Sequence, residues 1–302
     1  MAAALLVPLM LLAAADVRPG PAGARRQQVA CHAGIDSLIR IPDAGAAITG
    51  GRDLWIHRPA GPDRASLPVL YLLHGIPGSA LAEAAGPLGA RFDEIICRTH
   101  RPFVVAAPDG NAGGDSEWGD AADGSFTLES MVTTRVIDAV EGGRRRPRQL
   151  RAIGGFSMGG FGATAIALRH PDLYGQVLSF GGYFRIDDPD HTFGADSDAH
   201  DPGRLLGAAG GLRLFLVEGA DDHEALQLGS IHGEADRFAA QLRPLGVDVE
   251  TDHPPGGHDP ATWDAALPAA VSFLDAGWAA RAGGADRPAR TEHQQGARQR
   301  IR

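Results

Sequence analysis

Short uninterrupted apolar runs recur along this chain, separated by stretches where apolar residues return every three or four positions. Residues 69–73 (Val-Leu-Tyr-Leu-Leu) and 103–107 (Phe-Val-Val-Ala-Ala) contain no polar position, as expected of strands buried on both faces. Residues 54–56, 150–153, 177–180, 212–217 and 247–250 are further apolar-rich stretches, most of them broken by one or two polar residues, that also read as strands. A helical stretch is expected from the glycine-rich turn after residue 73 to about Arg98. Leu128, Met131, Val132, Val136 and Val140 recur at helical spacing. Residues 163–168, the set Phe238, Leu242 and Leu245, and residues 263–278 also read as helices. Strands alternating with helices predict an α/β fold with a mostly parallel central sheet flanked by helices. Residues 16–50 carry little pattern and predict a surface wrap or an edge strand. No internal repeat is present.

The same pattern sets the domain expectation: an apolar, signal-like segment and leader over 1–50, one catalytic domain over 51–280, and a disordered arginine-rich tail over 281–302. Residues 2–15 are apolar but too short to span a bilayer comfortably, so no stable membrane span is expected. They resemble a signal-peptide core, with Ala13, Ala14 and Ala15 offering small residues before Asp16, and export is the expectation. No arginine precedes the run; a mis-assigned start would make the protein cytoplasmic.

Composition narrows the chemistry. The chain has 302 residues, 44% of them hydrophobic, enough for one large domain. A net charge of −9 gives no basic surface for nucleic acid. Every basic residue is arginine, which excludes a P-loop lysine, a Schiff-base lysine and a Ser-Lys dyad. The two cysteines, Cys31 and Cys97, lack metal spacing and could pair or stay free. No zinc-ligand spacing or dinucleotide fingerprint occurs, so no cofactor and no metal is expected.

One segment concentrates the catalytic signal. Gly155-Phe156-Ser157-Met158-Gly159 reads G-x-S-x-G, between a predicted strand and a predicted helix, the context of a nucleophile elbow. Chance glycine is the competing explanation, and the flanking elements argue against it. Gly155 and Gly159 would remove clashes at the turn, and the following helix would aim its N-terminus at developing negative charge. After such a nucleophile the acid and then the histidine follow in chain order. His258, in the glycine-rich loop after the last strand, is the expected base, with His253 as the alternative. Asp221 and Asp222 compete for the acid at the end of the 212–217 strand, with Glu218 and Glu224 on either side. The oxyanion donors are expected to be the backbone N–H groups of Met158 and, in the His74-Gly75-Ile76 loop, Ile76.

These blocks, with Ser116-Glu117-Trp118-Gly119-Asp120 and Trp263 close behind His258, resemble the esterase D / antigen 85 branch of the α/β-hydrolases over roughly residues 50–280. The resemblance implies the α/β-hydrolase fold with a small loop-type cap. It implies a serine ester hydrolase or acyltransferase that uses no cofactor and acts on a small-molecule, glycan or lipid ester. It also implies that the acid stands three residues after Gly219, at Asp222. The acidic segment 187–201 departs from the family and is the expected cap; loops 108–124 and 183–201 are expected to line the pocket. Two other classes remain: a catalytically silent hydrolase-fold binding protein, and an ion site at His191, Asp196, Asp198, His200 and Asp201. The ion site lacks calcium-loop spacing.

Overall fold

The computed structural model describes residues 32–42, 50–61, 66–112, 115–188, 190–226 and 229–282. The expected signal-like run and the arginine-rich tail beyond 282 lie outside the described residues.

Eight strands form one sheet: β1 (Ile35–Ile41), β2 (Arg52–Arg58), β3 (Val69–Leu73), β4 (Val104–Pro108), β5 (Arg151–Phe156), β6 (Gln176–Phe180), β7 (Arg213–Val217) and β10 (Asp248–Asp252). Their spatial order is β1-β2-β4-β3-β5-β6-β7-β10. β1 and β2 run antiparallel, and every pair from β4 to β10 is parallel. The two-residue strands β8 (Ala225–Leu226) and β9 (Gly229–Ser230) make a separate antiparallel pair. This is the α/β-hydrolase architecture that the strand and helix pattern, with the resemblance, predicts.

One boundary moves. The sheet begins at Ile35, so the expected domain start at residue 51 is too late. β1 supplies the edge strand foreseen as one option for residues 16–50. Ile35, Leu38 and Ile39 are exposed and only Ile41, at the end of the strand, is buried, so β1 lacks the continuous buried face that would impose a strict alternation. The inner strands behave as their unbroken apolar runs require. In β3, Leu70 and Leu72 pack on one face, while Val69, Tyr71 and Leu73 pack on the other.

Helices α1 (Ala80–Ala85), α2 (Leu88–Thr99) and α7 (Pro260–Ala282) cover the Leu70 face. The opposite face is covered by α3 (Leu128–Ser130), which continues through a π-helical segment (Met131–Val136) into α4 (Ile137–Glu141), and by α5 (Met158–Arg169) and α6 (Glu234–Leu242). Glu141 ties this layer to the sheet. It accepts two hydrogen bonds from the Arg151 guanidinium, at 2.7 and 2.8 Å, and one from Tyr71 Oη at 2.9 Å. All three side chains are buried.

The strand order positions the site. From β3 the chain leaves through α1 and α2 on one face. From β5, its neighbour, it leaves through α5 on the other. This is a topological switch point, where connections diverge and a crevice opens at the carboxyl ends of the strands. Leu73 and Gly155 are paired across β3 and β5, so the loop after Leu73 and the turn after Phe156 meet at that crevice.

Candidate active site

The turn after β5 carries Ser157 at φ 53° and ψ −120°, a left-handed conformation that costs free energy for a non-glycine residue. The residues on either side make it possible. A Cβ on Gly159 would overlap the Leu73 carbonyl, and one on Gly155 would overlap the backbone of Gly159. Ser157 N–H donates to Phe180 O at 2.8 Å, anchoring the turn on β6. Met158 opens α5, so its N–H belongs to the first helical turn, which has no intrahelical acceptor.

His258 reaches this serine from the far side of the sheet. Its Nε2 is 2.8 Å from Ser157 Oγ, and its Nδ1 is 2.9 Å from Asp222 Oδ2. Asp222 is fully buried, and its other oxygen accepts from the Glu224 N–H at 3.1 Å. With Nδ1 facing a carboxylate, the imidazole proton belongs on Nδ1, leaving Nε2 as acceptor for the serine hydroxyl. The approach depends on neighbouring strands. β7 and β10 end in register at Val217 and Asp252. Beyond them Ala220 N–H donates to Pro254 O and Asp221 N–H to Gly256 O, each at 2.9 Å. The acid turn and the histidine loop are thus zipped together. Gly181, at φ 59°, passes beneath the ring, where a Cβ would lie 3.0 Å from His258 Cε1. Trp263 meets His258 edge-on at 5.1 Å and stacks on Phe156 at 5.4 Å.

The alternatives fall elsewhere. His253 pairs with Asp236 at 3.2 Å on the surface. Asp221 is exposed beside the buried Asp222. Glu218 accepts the Gly233 and Ala235 N–H groups at 2.6 and 3.0 Å, at the start of α6. Glu224 is exposed.

The loop opposite the elbow, residues 74–78, is held by His74 and Trp118. Gly110 N–H donates to His74 Nε2 at 2.9 Å, so the ring proton is on Nδ1, which donates to Gly75 O at 2.8 Å. The Trp118 indole N–H donates to His74 O at 3.0 Å, and the two rings meet edge-on. Gly75 permits the close approach: a Cβ there would lie 3.0 Å from Ser157 Cβ and closer still to the Phe156 carbonyl. Ile76 is half-exposed and lines the same cavity as Ser157 and His258.

That cavity holds about 620 Å³. Its walls come from the 74–78 loop and from α1, α2 and α7, including Leu88, Trp263 and Leu267. Loops 108–124 and 183–201, expected from the sequence to line this pocket, are absent from its walls among the described residues. Those two loops pack on each other: Ala122 N–H donates to Thr192 O at 2.8 Å, and Asp115 N–H to Asp190 Oδ2 at 2.8 Å. They enclose a separate cavity of about 370 Å³. Beside it burial pushes the Glu117 carboxyl well up and that of Asp115 to about 6. Helix residues that line a pocket across the fold leave no local motif, which is why Glu83, Leu88 and Leu267 escape sequence reasoning.

The residues of the candidate ion site do not converge. His200 stacks on Phe193 at 3.8 Å, and Asp198 pairs with Arg204 at 3.2 Å. Among the described residues no three His, Cys, Asp or Glu side chains are grouped to hold a metal, and no helix is long and apolar enough to cross a membrane. Cys97 is disulfide-bonded; Cys31 lies outside the described residues.

The sequence model of the family described as "Putative esterase" matches residues 46–274. The chain belongs to this esterase family. This esterase-family chain is 28% identical over 283 residues to an uncharacterized protein of Corynebacterium glutamicum, covering 83% of this chain and 63% of that one. It therefore spans less than two thirds of that relative's length. Among solved structures it resembles a ferulic acid esterase, with TM-score 0.66, 21% identity and coverage of 81% and 98% of the two chains. It also resembles the fluorophosphonate-binding serine hydrolase F of Staphylococcus aureus, with TM-score 0.65, 20% identity and coverage of 80% and 99%. MPT51 of Mycobacterium tuberculosis matches with TM-score 0.61, 20% identity and coverage of 80% and 98%. At these identities the likeness to solved structures establishes the shared fold of the esterase-family chain.

Proposed function

We propose that the protein is a serine carboxylic-ester hydrolase in which Ser157 is the nucleophile, His258 the base and Asp222 the orienting acid. The observation that carries this reading is the unbroken relay from Ser157 Oγ to His258 Nε2 and from His258 Nδ1 to Asp222, at 2.8 and 2.9 Å. Ser157 Oγ attacks the ester carbonyl carbon as His258 Nε2 takes its proton. Asp222 stabilises the imidazolium that forms. The carbonyl oxygen becomes an oxyanion facing the Met158 and Ile76 N–H groups, in a crevice where such donors are worth more than in water. Collapse expels the alcohol, which leaves with the proton from His258. Water, deprotonated by the same histidine, then releases the acid and restores Ser157.

The test is an ester panel that varies acyl length and alcohol, read by continuous release of 4-nitrophenol. Turnover of at least one ester, with a burst equal to the enzyme concentration when deacylation is slow, supports the reading. No turnover across the panel overturns it. Adding sugar or lipid alcohols to the same assay tests transfer: an antigen 85-like acyltransferase would form the new ester at the expense of free acid.

We also propose that the chain is exported. The Cys97 disulfide supports this, because disulfides persist in oxidising compartments. Expression in the native host with immunodetection in the culture or envelope fraction checks it; recovery only from the cytoplasm contradicts it.

A further inference from the structure

The cavity beside Ser157 has mostly apolar walls, built from residues such as Leu88, Trp263 and Leu267, with three charged side chains among them: Glu83, Arg91 and Asp264. Two of these neutralise each other. Arg91 Nε donates to Asp264 Oδ1 at 2.8 Å, and Arg91 Nη1 donates to Glu94 Oε2 at 2.9 Å. Glu83 differs. Among the described residues its carboxylate has no hydrogen bond and no ion pair. It does not serve as the cap of its own helix, because Ser79 Oγ accepts the Ala82 N–H at 3.0 Å. His74, which shares the cavity wall, accepts a backbone N–H at Nε2 and donates from Nδ1, a tautomer without net charge. Burial pushes the Glu83 carboxyl above the ordinary glutamate range.

A carboxylate in an apolar wall is unfavourable unless something pairs with it. Glu83 is partly exposed and, among the described residues, no protein group pairs with it, so a cationic group that enters the cavity would be its complement. The lining side chains carry a net −1 at neutral pH, with Arg91 set against Glu83 and Asp264. A neutral alkyl chain would fill the walls and leave Glu83 unpaired; an anionic one would face it directly.

We propose that this cavity is a subsite for an ester whose far end carries a cationic group of the quaternary or primary ammonium type, with Glu83 as its counter-charge. The proposal rests on the esterase reading and names the substrate class for the same site.

Two 4-nitrophenyl esters of equal shape test it: 4-(trimethylammonio)butanoate and its uncharged isostere 5,5-dimethylhexanoate. The readout is the ratio of their kcat/KM values. The native protein should prefer the cationic ester by about tenfold at low salt, and the preference should shrink as ionic strength rises. In Glu83→Gln the ratio should fall to about one, and Glu83→Asp, which keeps the charge, should retain part of it. A native ratio of one or below overturns the proposal without needing any variant, and so does a ratio that survives Glu83→Gln. Calorimetric titration of benzyltrimethylammonium into the native protein separates this inference from the reading beneath it. Binding of that ion, lost in Glu83→Gln, with neither ester cleaved, would keep the cationic subsite and reject the esterase. Cleavage of both esters at equal efficiency without binding would reject the subsite alone.

Discussion

Asp221 and Asp222 are neighbours in one turn, yet only Asp222 can serve an imidazole. It is fully buried, and its two oxygens are held by His258 Nδ1 and the Glu224 N–H. Asp221 faces solvent. Asp222→Asn should therefore lower kcat by about 10⁴-fold, because the wrong tautomer is stabilised, while Asp221→Asn should change it by less than about twofold. Steady-state kinetics on one ester at one pH decides between them; the opposite pattern moves the acid to Asp221. His258→Ala should be inactive to a similar degree, and His253→Ala, whose ring pairs with Asp236 at the surface, should keep its turnover. At this scale the sequence carries much of the site. The glycines around Ser157 point to the nucleophile, and the chain order narrows the base to His258 with His253 as the alternative. Two adjacent aspartates in a turn have no periodicity to tell them apart, and only the resemblance favours Asp222. Glu83 was beyond reach, because whether a carboxylate on a short helix is paired depends on elements distant in sequence.

Among the elements, the elbow and the Glu141 network are the most sensitive joints. Gly159 lies where a Cβ would overlap the Leu73 carbonyl, and the overlapping atom is backbone that cannot rotate away. Gly159→Ala should destabilise the fold by about 3 kcal/mol or more and displace Ser157. Denaturant unfolding together with residual esterase activity measures both; a fully stable, active variant would mean the turn is not packed as described. Glu141→Ala leaves the buried Arg151 guanidinium without its carboxylate, a loss of about 3–5 kcal/mol, readable as a shift of the urea midpoint. Inner strands such as β3 and β4 were legible because burial on both faces removes every polar position. The edge strand β1 was legible only as an option, because solvent on its outer face relaxes the pattern. The apolar spacing over Met131–Val136 fits an ordinary helix as well as the π-helical segment observed, since a slightly wider turn barely disturbs it over six residues.

For the whole molecule, buried carboxylates set opposing dependences on pH. Burial alone would raise Glu141 and Glu129, but hydrogen bonds from Arg151 and from His170 outweigh it and hold both below the ordinary value of 4.5. Their contribution is present above that value and lost as pH falls through their lowered range. Asp115 behaves oppositely. Burial raises it from 3.8 to about 6, so its contribution is present below 3.8 and lost as pH rises toward 6. Glu117, pushed up by burial and by Asp115, extends that loss further. Thermal stability should therefore peak in weakly acidic buffer and decline toward neutrality. In Glu117→Gln, which mimics the protonated side chain, the decline should be shallower. Melting temperatures across pH for both proteins check this, and an equal slope in the two would remove the acidic pair as its cause.

An activated Ser157 would be captured covalently by an electrophile that mimics the ester. The native protein would be treated with a fluorophosphonate and followed by intact mass and peptide mapping. One adduct per chain is expected, on Ser157, with labelling slowed by orders of magnitude in His258→Ala and absent in Ser157→Ala. A native protein that stays unlabelled, or an adduct on any residue other than Ser157, would contradict it.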